Sequence, residues 1–224
     1  MVKAVIFDMF ETLVTMFEGR TYYSEDIAAD MGVDTELFRR EWHATENDRT
    51  VGKMTGKEGL TIAFKKLGVF SEESVRLTAA KRYEAISDTF ERVPDESLQL
   101  LKELRKAGIK TALITNTFSD ECEIIRKSRL YPLFDEALIS YELGMRKPDP
   151  EIYRAALERL GVKAEECLYV GDGGSRELFG ARDAGMKPVQ AVWFRSRAYE
   201  PHIACPIYEE FPQAEKQLDI LGML

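Results

Sequence analysis

The chain contains two kinds of region that differ in how apolar and polar residues alternate along the sequence. Residues 2–7 form a nearly unbroken apolar run that ends at the carboxylate of Asp8, a pattern typical of a buried parallel strand. Short apolar runs of the same kind return later in the chain, at residues 111–114, 137–139, 167–170 and 189–193. Amphipathic segments separate these runs, for example residues 150–160 and 176–184, and a glycine ends each of the two. The pattern predicts strands that alternate with helices.

Residues 21–90 have a different pattern, in which apolar side chains recur every three or four positions. Leu60, Phe64 and Leu67 illustrate this spacing, which places side chains on one face of a helix. No segment of this region alternates in the manner of a strand, and glycines interrupt it at intervals. We therefore expect a bundle of about four helices, inserted between the first strand and the later ones.

Strands that alternate with helices favour a parallel sheet covered on both faces, which is a doubly wound, Rossmann-like α/β fold. The helical region interrupts this fold after its first strand. We predict an α/β core made of residues 1–14 and 92–224, and a helical cap made of residues 15–91. Inserted segments tend to lie over a functional face of a scaffold, so we expect the cap to cover the carboxyl end of the first strand as a lid.

Composition narrows the classes of function. The formal net charge of −8 argues against a nucleic-acid surface, but a local cluster of Lys and Arg is compatible with a small anionic substrate. Three widely spaced cysteines and two histidines argue against a disulfide framework, a zinc site and a histidine-based triad. No apolar stretch approaches the length of a membrane span, and the first residues lead into a strand rather than a signal peptide. We expect a cytoplasmic protein.

Polar residues follow the predicted strands at the points where the strands end. These candidates are Asp8 and Thr12, Thr115 and Asn116, Lys147 in the loop before residue 150, and Asp172 with Glu177. The carboxyl ends of parallel strands share one edge of a sheet, where open α/β folds bind their ligands. We therefore expect these side chains to meet at that edge.

The set suits the chemistry of a phosphoryl group. The carboxylate of Asp8 is able to attack phosphorus and form an acyl phosphate. Asp8 and Asp172, together with a backbone carbonyl, offer the hard oxygen ligands that Mg²⁺ prefers, and the cation offsets repulsion between nucleophile and substrate. Lys147 and the Thr115 hydroxyl would bind the phosphoryl oxygens. We expect Mg²⁺ as cofactor and a small phosphorylated substrate, with no nucleic-acid or membrane partner.

These residues, in this order, resemble the motifs of the haloacid dehalogenase-like hydrolase superfamily, in the group whose helical cap follows the first motif. The matching segments are Asp8 to Thr12, Thr115 with Asn116, Lys147 with Pro148, and residues 171–177 running into Gly180 and Ala181. The resemblance covers nearly the whole chain. It implies a hydrolase, and specifically a phosphatase that forms an aspartyl-phosphate at Asp8.

The resemblance also implies a set of metal ligands. Asp8 would be both the nucleophile and a ligand, Phe10 would offer its backbone carbonyl to Mg²⁺, and Asp172 would be the acidic ligand. Glu177 stands where the superfamily more often has Asp. The longer side chain keeps the carboxylate, so contact with the metal through a water is an alternative to direct ligation.

Three further matches would act on the phosphate. The resemblance implies that Thr115 holds the phosphate together with the backbone of Asn116. Lys147 would neutralise charge on the nucleophile and on the phosphate. Side chains of the cap would select the substrate, so the motifs leave its identity open.

The main departure from the superfamily pattern is Phe10, which stands where phosphatases of this group carry a second Asp. That Asp protonates the leaving oxygen and then activates water, and a phenylalanine does neither. General acid–base catalysis contributes roughly 10²–10⁴-fold to a rate, so its absence favours leaving groups that depart without a proton. Glu11 and a carboxylate from the cap are candidates for a replacement.

Phe10 keeps three alternatives to a phosphatase open. A 2-haloacid dehalogenase has an aromatic residue at this place, but the dehalogenases of the superfamily lack the acidic metal ligand that Asp172 supplies here. A phosphonoacetaldehyde hydrolase-like enzyme would use a cap lysine, Lys53 or Lys57, as a Schiff base. A weakly catalytic protein that binds a phosphorylated ligand is the third alternative.

Overall fold

A computed structural model of the protein describes residues 1–199 and 202–224. Six parallel strands form one sheet: β1 (Ala4–Phe7), β2 (Lys110–Thr115), β3 (Glu136–Ile139), β4 (Cys167–Gly171), β5 (Lys187–Ala191) and β6 (Gln213–Ala214). Their order across the sheet is β3-β2-β1-β4-β5-β6, so the first strand of the chain lies inside it with later strands on both sides. This is the doubly wound, Rossmann-like topology that the sequence predicts.

The α-helices of the described residues are α1 (Ser24–Met31), α2 (Thr35–His43), α3 (Glu46–Thr50), α4 (Gly56–Lys66), α5 (Glu72–Glu91), α6 (Asp95–Lys106), α7 (Ser119–Lys127), α8 (Ser140–Leu143), α9 (Pro150–Leu160) and α10 (Glu177–Asp183). Five of them, α1 to α5, occupy the region for which the sequence predicts about four. The pattern misses α3 because its two buried residues, Arg49 and Thr50, are polar. Among the described helices, none has both the length and the apolar character that crossing a membrane requires.

Helices cover both faces of the sheet and bury its central strands. Every residue of β1 and of β4 is buried. Successive side chains of a strand point to opposite faces, so Phe7 packs in the cluster that holds Leu101 of α6, whereas Ile6 packs in the cluster that holds Ile152 of α9. Burial on both faces accounts for the unbroken apolar runs in the sequence.

The helices α1 to α5, residues 24–91, are called the helical insert below. They build a hydrophobic cluster of their own, to which Phe38 of α2 and Phe64 of α4 contribute. The last turn of α5 joins the core beside the sheet through Phe90. Division of the chain into two domains, with a cap of residues 15–91, stays a prediction.

Two differences from the sequence prediction concern the last strands. β5 includes Pro188, whereas the apolar pattern predicts a strand over residues 189–193. A proline has no N–H to donate to a neighbouring strand, so the pattern favours a start after it. β6 has only two residues, which is too short for a periodicity to appear in the sequence.

Candidate active site

The end of β1 places Asp8 at the carboxyl edge of the sheet. The backbone N–H of Asp8 donates to the Val170 carbonyl of β4 at 2.9 Å, which fixes the residue against the neighbouring strand. Lys147 lies 139 residues further along the chain, and its Nζ is 2.5 Å from Oδ1 of Asp8. The same Nζ contacts Oε2 of Glu177. All three side chains are buried, since Asp8, Lys147 and Glu177 are only 6%, 2% and 1% exposed.

A third carboxylate, that of Asp172 after β4, completes an acidic cluster. One oxygen each of Asp8, Asp172 and Glu177 lies within 4.8 Å of the others. Burial raises the pKa of Asp8, and Asp172 adds to the shift while Lys147 opposes it. Burial and the Asp8 carboxylate raise the pKa of Glu177 to about 8. Burial is the largest cause of both shifts, and repulsion between the carboxylates adds to it. A divalent cation with oxygen ligands fits a cluster of three carboxylates of this kind.

Lys147 is positioned at both its side chain and its backbone. Burial alone would lower the pKa of Lys147, but the carboxylates of Asp8 and Glu177 outweigh it and raise the pKa, so the ammonium stays charged. The Lys147 backbone N–H donates to Oδ1 of Asn116 at 2.8 Å, and Nδ2 of Asn116 donates to the Lys147 carbonyl at 3.0 Å. The resemblance implies only a backbone role for Asn116, so this positioning by its side chain is an additional finding.

Glu177 is held by several groups that sequence reasoning missed. The Tyr169 hydroxyl donates to its Oε2 at 2.8 Å, and the Gly173 backbone N–H donates to its Oε1 at 3.1 Å. The Tyr153 hydroxyl donates to the Glu177 carbonyl at 3.0 Å. A Cβ at Gly171 would overlap the Glu177 carboxylate, so the close approach requires glycine. The sequence feature that could have indicated this role is the hydroxyl of Tyr169, which lies in a strand whose other residues are apolar or small.

Buried hydroxyls at or just after the strand ends have no hydrogen-bond partner among the described residues, and Thr117 after β2 is one of them. The others include Oγ1 of Thr115, the last residue of β2, and Oγ1 of Thr12 in the loop after Asp8. A buried polar group without a partner costs free energy, and a bound ligand is one way to satisfy it. The unpartnered hydroxyl of Thr115 therefore fits a site that receives a ligand with oxygen acceptors.

Phe10 and Glu11 shape the loop between β1 and the helical insert. The Phe10 ring packs edge-on against Phe90, with 6.0 Å between ring centroids. Glu11 has a positive φ of 55°, and its carboxylate accepts hydrogen bonds from the Thr15 hydroxyl at 2.6 Å and the Met16 N–H at 2.7 Å. Burial raises the pKa of Glu11 to about 7. These two hydrogen bonds show that the Glu11 carboxylate stabilises the loop after β1.

The fold and the cluster together define a class of protein. The buried carboxylate–lysine–carboxylate arrangement lies at the carboxyl edge of a Rossmann-like parallel sheet, which is where such folds bind their ligands, and a helical insert follows the first strand. A family model described as haloacid dehalogenase-like hydrolase matches residues 2–185 of the chain. The chain belongs to this family, as the resemblance of its motifs predicts.

Several curated relatives of the chain are named phosphatases. It is similar to a glyceraldehyde 3-phosphate phosphatase of Methanopyrus kandleri, with 28% identity over 208 residues that cover 90% of this chain and 88% of the relative. It is also similar to phosphatase MT3486 of Mycobacterium tuberculosis, with 31% identity over 196 residues that cover 83% of this chain and 85% of the relative.

Solved structures share the fold at lower sequence identity. A 2-haloacid dehalogenase from Pseudomonas syringae superimposes with a TM-score of 0.70 at 23% identity, covering 99% of this chain and 97% of its own. The enzyme bt-2542 from Bacteroides thetaiotaomicron, in complex with magnesium and inorganic phosphate, superimposes with a TM-score of 0.66 at 20% identity. That match covers 85% of this chain and 94% of the other.

Proposed function

We propose that the protein is a Mg²⁺-dependent phosphatase that hydrolyses a small phosphorylated metabolite through an aspartyl-phosphate at Asp8. The observation that carries the proposal is the cluster of Asp8, Lys147, Glu177 and Asp172, with the unpartnered Thr115 hydroxyl beside it. The names of the curated relatives support it, and so does the presence of magnesium and phosphate in the bt-2542 complex.

Asp8 would act as the nucleophile. One of its carboxylate oxygens attacks phosphorus, and the bond from phosphorus to the ester oxygen breaks, with its electron pair leaving on that oxygen. Water then attacks phosphorus of the acyl phosphate, which releases inorganic phosphate and restores the carboxylate. Lys147, already 2.5 Å from Oδ1 of Asp8, would neutralise charge on both nucleophile and phosphate. The hydroxyl of Thr115 and the backbone of Asn116 would bind phosphoryl oxygens.

The metal would be held by this chain's own oxygen donors. Asp8 and Asp172 would be carboxylate ligands, the backbone carbonyl of Phe10 would be a third ligand, and Glu177 would bind directly or through a water. Bound Mg²⁺ supplies positive charge that offsets repulsion between the carboxylate and the phosphate. Lys147 and the hydroxyl of Tyr169 would keep the Glu177 carboxylate in place beside that site.

The alternatives fit the site less well. A dehalogenase has no need of a buried acidic cluster with excess negative charge, and the structural likeness to dehalogenases is evidence of a shared fold alone. Lys53 and Lys57, the candidates for a Schiff base, are both exposed and lack the burial that activates a lysine amine. A protein that only binds phosphate esters would show ligand-induced stabilisation without turnover.

The wild-type protein is expected to hydrolyse an aryl phosphate such as 4-nitrophenyl phosphate when Mg²⁺ is present. Chelation by EDTA is expected to lower the rate at least about 100-fold, because removing fixed charge from a transition state typically costs 10²–10³-fold. Asp172→Asn is expected to cause a similar loss in the presence of Mg²⁺. Turnover that is equal with and without EDTA would contradict the proposal, and chloride release from a 2-haloacid in EDTA would favour the dehalogenase.

Phe10→Asp is expected to raise turnover of an alkyl phosphate by about tenfold or more, with a smaller effect on an aryl phosphate. An alkoxide needs a proton to leave and a phenolate does not, and general acids contribute roughly 10²–10⁴-fold. Phe10→Ala is the matched control, because it removes the packing against Phe90 without adding a carboxylate. Equal increases on both substrates would exclude the leaving-group explanation.

A further inference from the structure

Gln190 is a buried polar residue near the end of β5, the strand beside β4. It is only 1% exposed. In the register of the sheet it lies beside Gly171 of β4, the residue that precedes Asp172. A buried amide costs free energy unless its donors and its acceptor are bound. The partners of this amide therefore identify the groups that Gln190 holds in place.

The side-chain amide of Gln190 makes three hydrogen bonds, all to backbone groups. Its Nε2 donates to the Asp172 carbonyl at 2.8 Å and to the Pro206 carbonyl at 2.8 Å. Its Oε1 accepts from the Tyr208 N–H at 2.9 Å. Both donors face carbonyls and the acceptor faces an N–H, so exchanging the two ends of the amide would break all three bonds. Gln190 thus joins the turn after β4, residues 172–174, to the loop before β6.

The peptide unit between Asp172 and Gly173 is bound on both of its sides. Its carbonyl accepts from Gln190, and its N–H donates to Oε1 of Glu177 at 3.1 Å. A peptide unit is planar, so a bond that holds the carbonyl also sets the direction of the N–H. Gln190 therefore directs a hydrogen-bond donor to the Glu177 carboxylate, and it fixes the backbone from which the Asp172 carboxylate projects.

Local sterics do not fix the orientation of this peptide. Gly173 has a φ of 107°, and a glycine adopts positive and negative φ with similar ease. Rotation of the peptide is therefore open to the backbone, and it would turn the N–H away from Glu177. The Asp172 carboxylate accepts from the Gly174 N–H at 2.9 Å, but that bond does not involve the peptide between Asp172 and Gly173. Within the described part of the chain, Gln190 is the side chain that binds its carbonyl.

We propose that Gln190 is a positioning residue for the metal site, because the peptide that it holds sets how Asp172 and Glu177 are presented to Mg²⁺. The inference rests on the phosphatase function proposed above. Gln190 would not touch the metal, and its effect would pass through one peptide unit. Groups that orient metal ligands from behind typically contribute 10–100-fold to metal affinity or activity.

The test measures Mg²⁺ binding in the absence of substrate. Gln190→Met keeps the length of the side chain and removes both donors and the acceptor. Titration calorimetry of the metal-free protein with Mg²⁺ is expected to give a Kd at least about tenfold higher in the variant than in the wild type. The Mg²⁺ concentration that gives half-maximal turnover of an aryl phosphate is expected to rise by the same factor.

Gln217→Met is the matched control. Gln217 is also buried, and its Oε1 accepts from the Ser97 hydroxyl at 3.0 Å, in a network that does not include the acidic cluster. Its replacement is expected to lower the melting temperature and to leave the Kd of Mg²⁺ unchanged. Gln190→Asn keeps the amide on a side chain one methylene shorter, so its nitrogen would fall short of the Asp172 carbonyl. It is expected to raise the Kd as well, and it decides the matter if Gln190→Met does not fold.

The outcomes separate the two levels of the proposal. A wild-type Kd of Mg²⁺ in Gln190→Met would overturn the positioning inference and leave the phosphatase proposal standing. An equal rise of the Kd in Gln217→Met would also overturn it, because the effect would then follow from a general loss of stability. If the wild-type protein binds no Mg²⁺, the proposed function fails, and the positioning inference fails with it.

Discussion

Replacing Asp8 by asparagine is expected to lower turnover of phosphate esters by about 10⁴-fold or more, because the variant keeps the shape of the side chain and loses the nucleophile. Folding should not be lost with it. The wild-type site holds three carboxylates against one ammonium group, so the neutral amide relieves repulsion with Glu177 and Asp172 while the Lys147–Glu177 pair persists. The measurement is aryl phosphate turnover in Mg²⁺ together with the melting temperature of each variant.

Asp183→Asn is a suitable control for this experiment. Asp183 ends α10 at the exposed surface, where it pairs with Arg182, and its replacement removes the same charge away from the site. We expect wild-type turnover from it. Retention of more than about one per cent of the activity in Asp8→Asn would rule out the covalent mechanism, given the cost of losing a nucleophile.

Lys147→Met is expected to act on both catalysis and stability. Turnover should fall about 10³-fold, the upper range for removal of one preorganised donor, since the ammonium serves nucleophile and phosphate together. In EDTA, the free energy of unfolding should fall by about 3–5 kcal/mol, because removing one partner of a buried ion pair leaves uncompensated charge. Mg²⁺ is expected to recover part of that loss, as a ligand that binds only the folded protein.

Urea unfolding with EDTA or with Mg²⁺ measures these differences directly. Lys102→Met is the control, because Lys102 is an exposed residue of α6 and its loss should change stability by no more than about 0.5 kcal/mol. A Lys147→Met protein that is equally stable with and without Mg²⁺ would show that the acidic cluster holds no cation. The same protein with wild-type turnover would exclude Lys147 from the mechanism.

Much of the site could be predicted because a parallel sheet constrains where its strands end. Asp8, Thr115 and Asp172 each end or follow a buried apolar run, and the common direction of the strands brings these ends to one edge. The prediction needed only local patterns and the rule that parallel strands end together. The motif of Lys147 falls between the second and fourth of the ordered set, which predicts that it lies near the other strand ends, and its Nζ is 2.5 Å from Oδ1 of Asp8.

Features that depend on contacts between distant segments could not be predicted in the same way. Tyr153 and Tyr169 belong to a helix and a strand whose packing against α10 leaves no local signal, yet they hold Glu177. Arg82 lies in the long helix α5, and only the folded chain brings its guanidinium near the rings of Trp42 and Phe118. The periodicity of a sequence indicates only whether a residue faces solvent or the core. It contains no information on which distant segments contact that residue in the folded protein.

The central position of β1 has a consequence for how the molecule assembles. Ala4 pairs with Lys110 on one side and with Cys167 on the other, so β1 has its first partner only after the helical insert has been synthesised and its second only after β4. During translation the helical insert, with its own cluster of local contacts, is able to condense while β1 is still unpaired. The cluster of Asp8 and Asp172 forms only when β4 docks beside β1. Under the proposed function, a nascent chain stalled before that point would be partly folded and inactive.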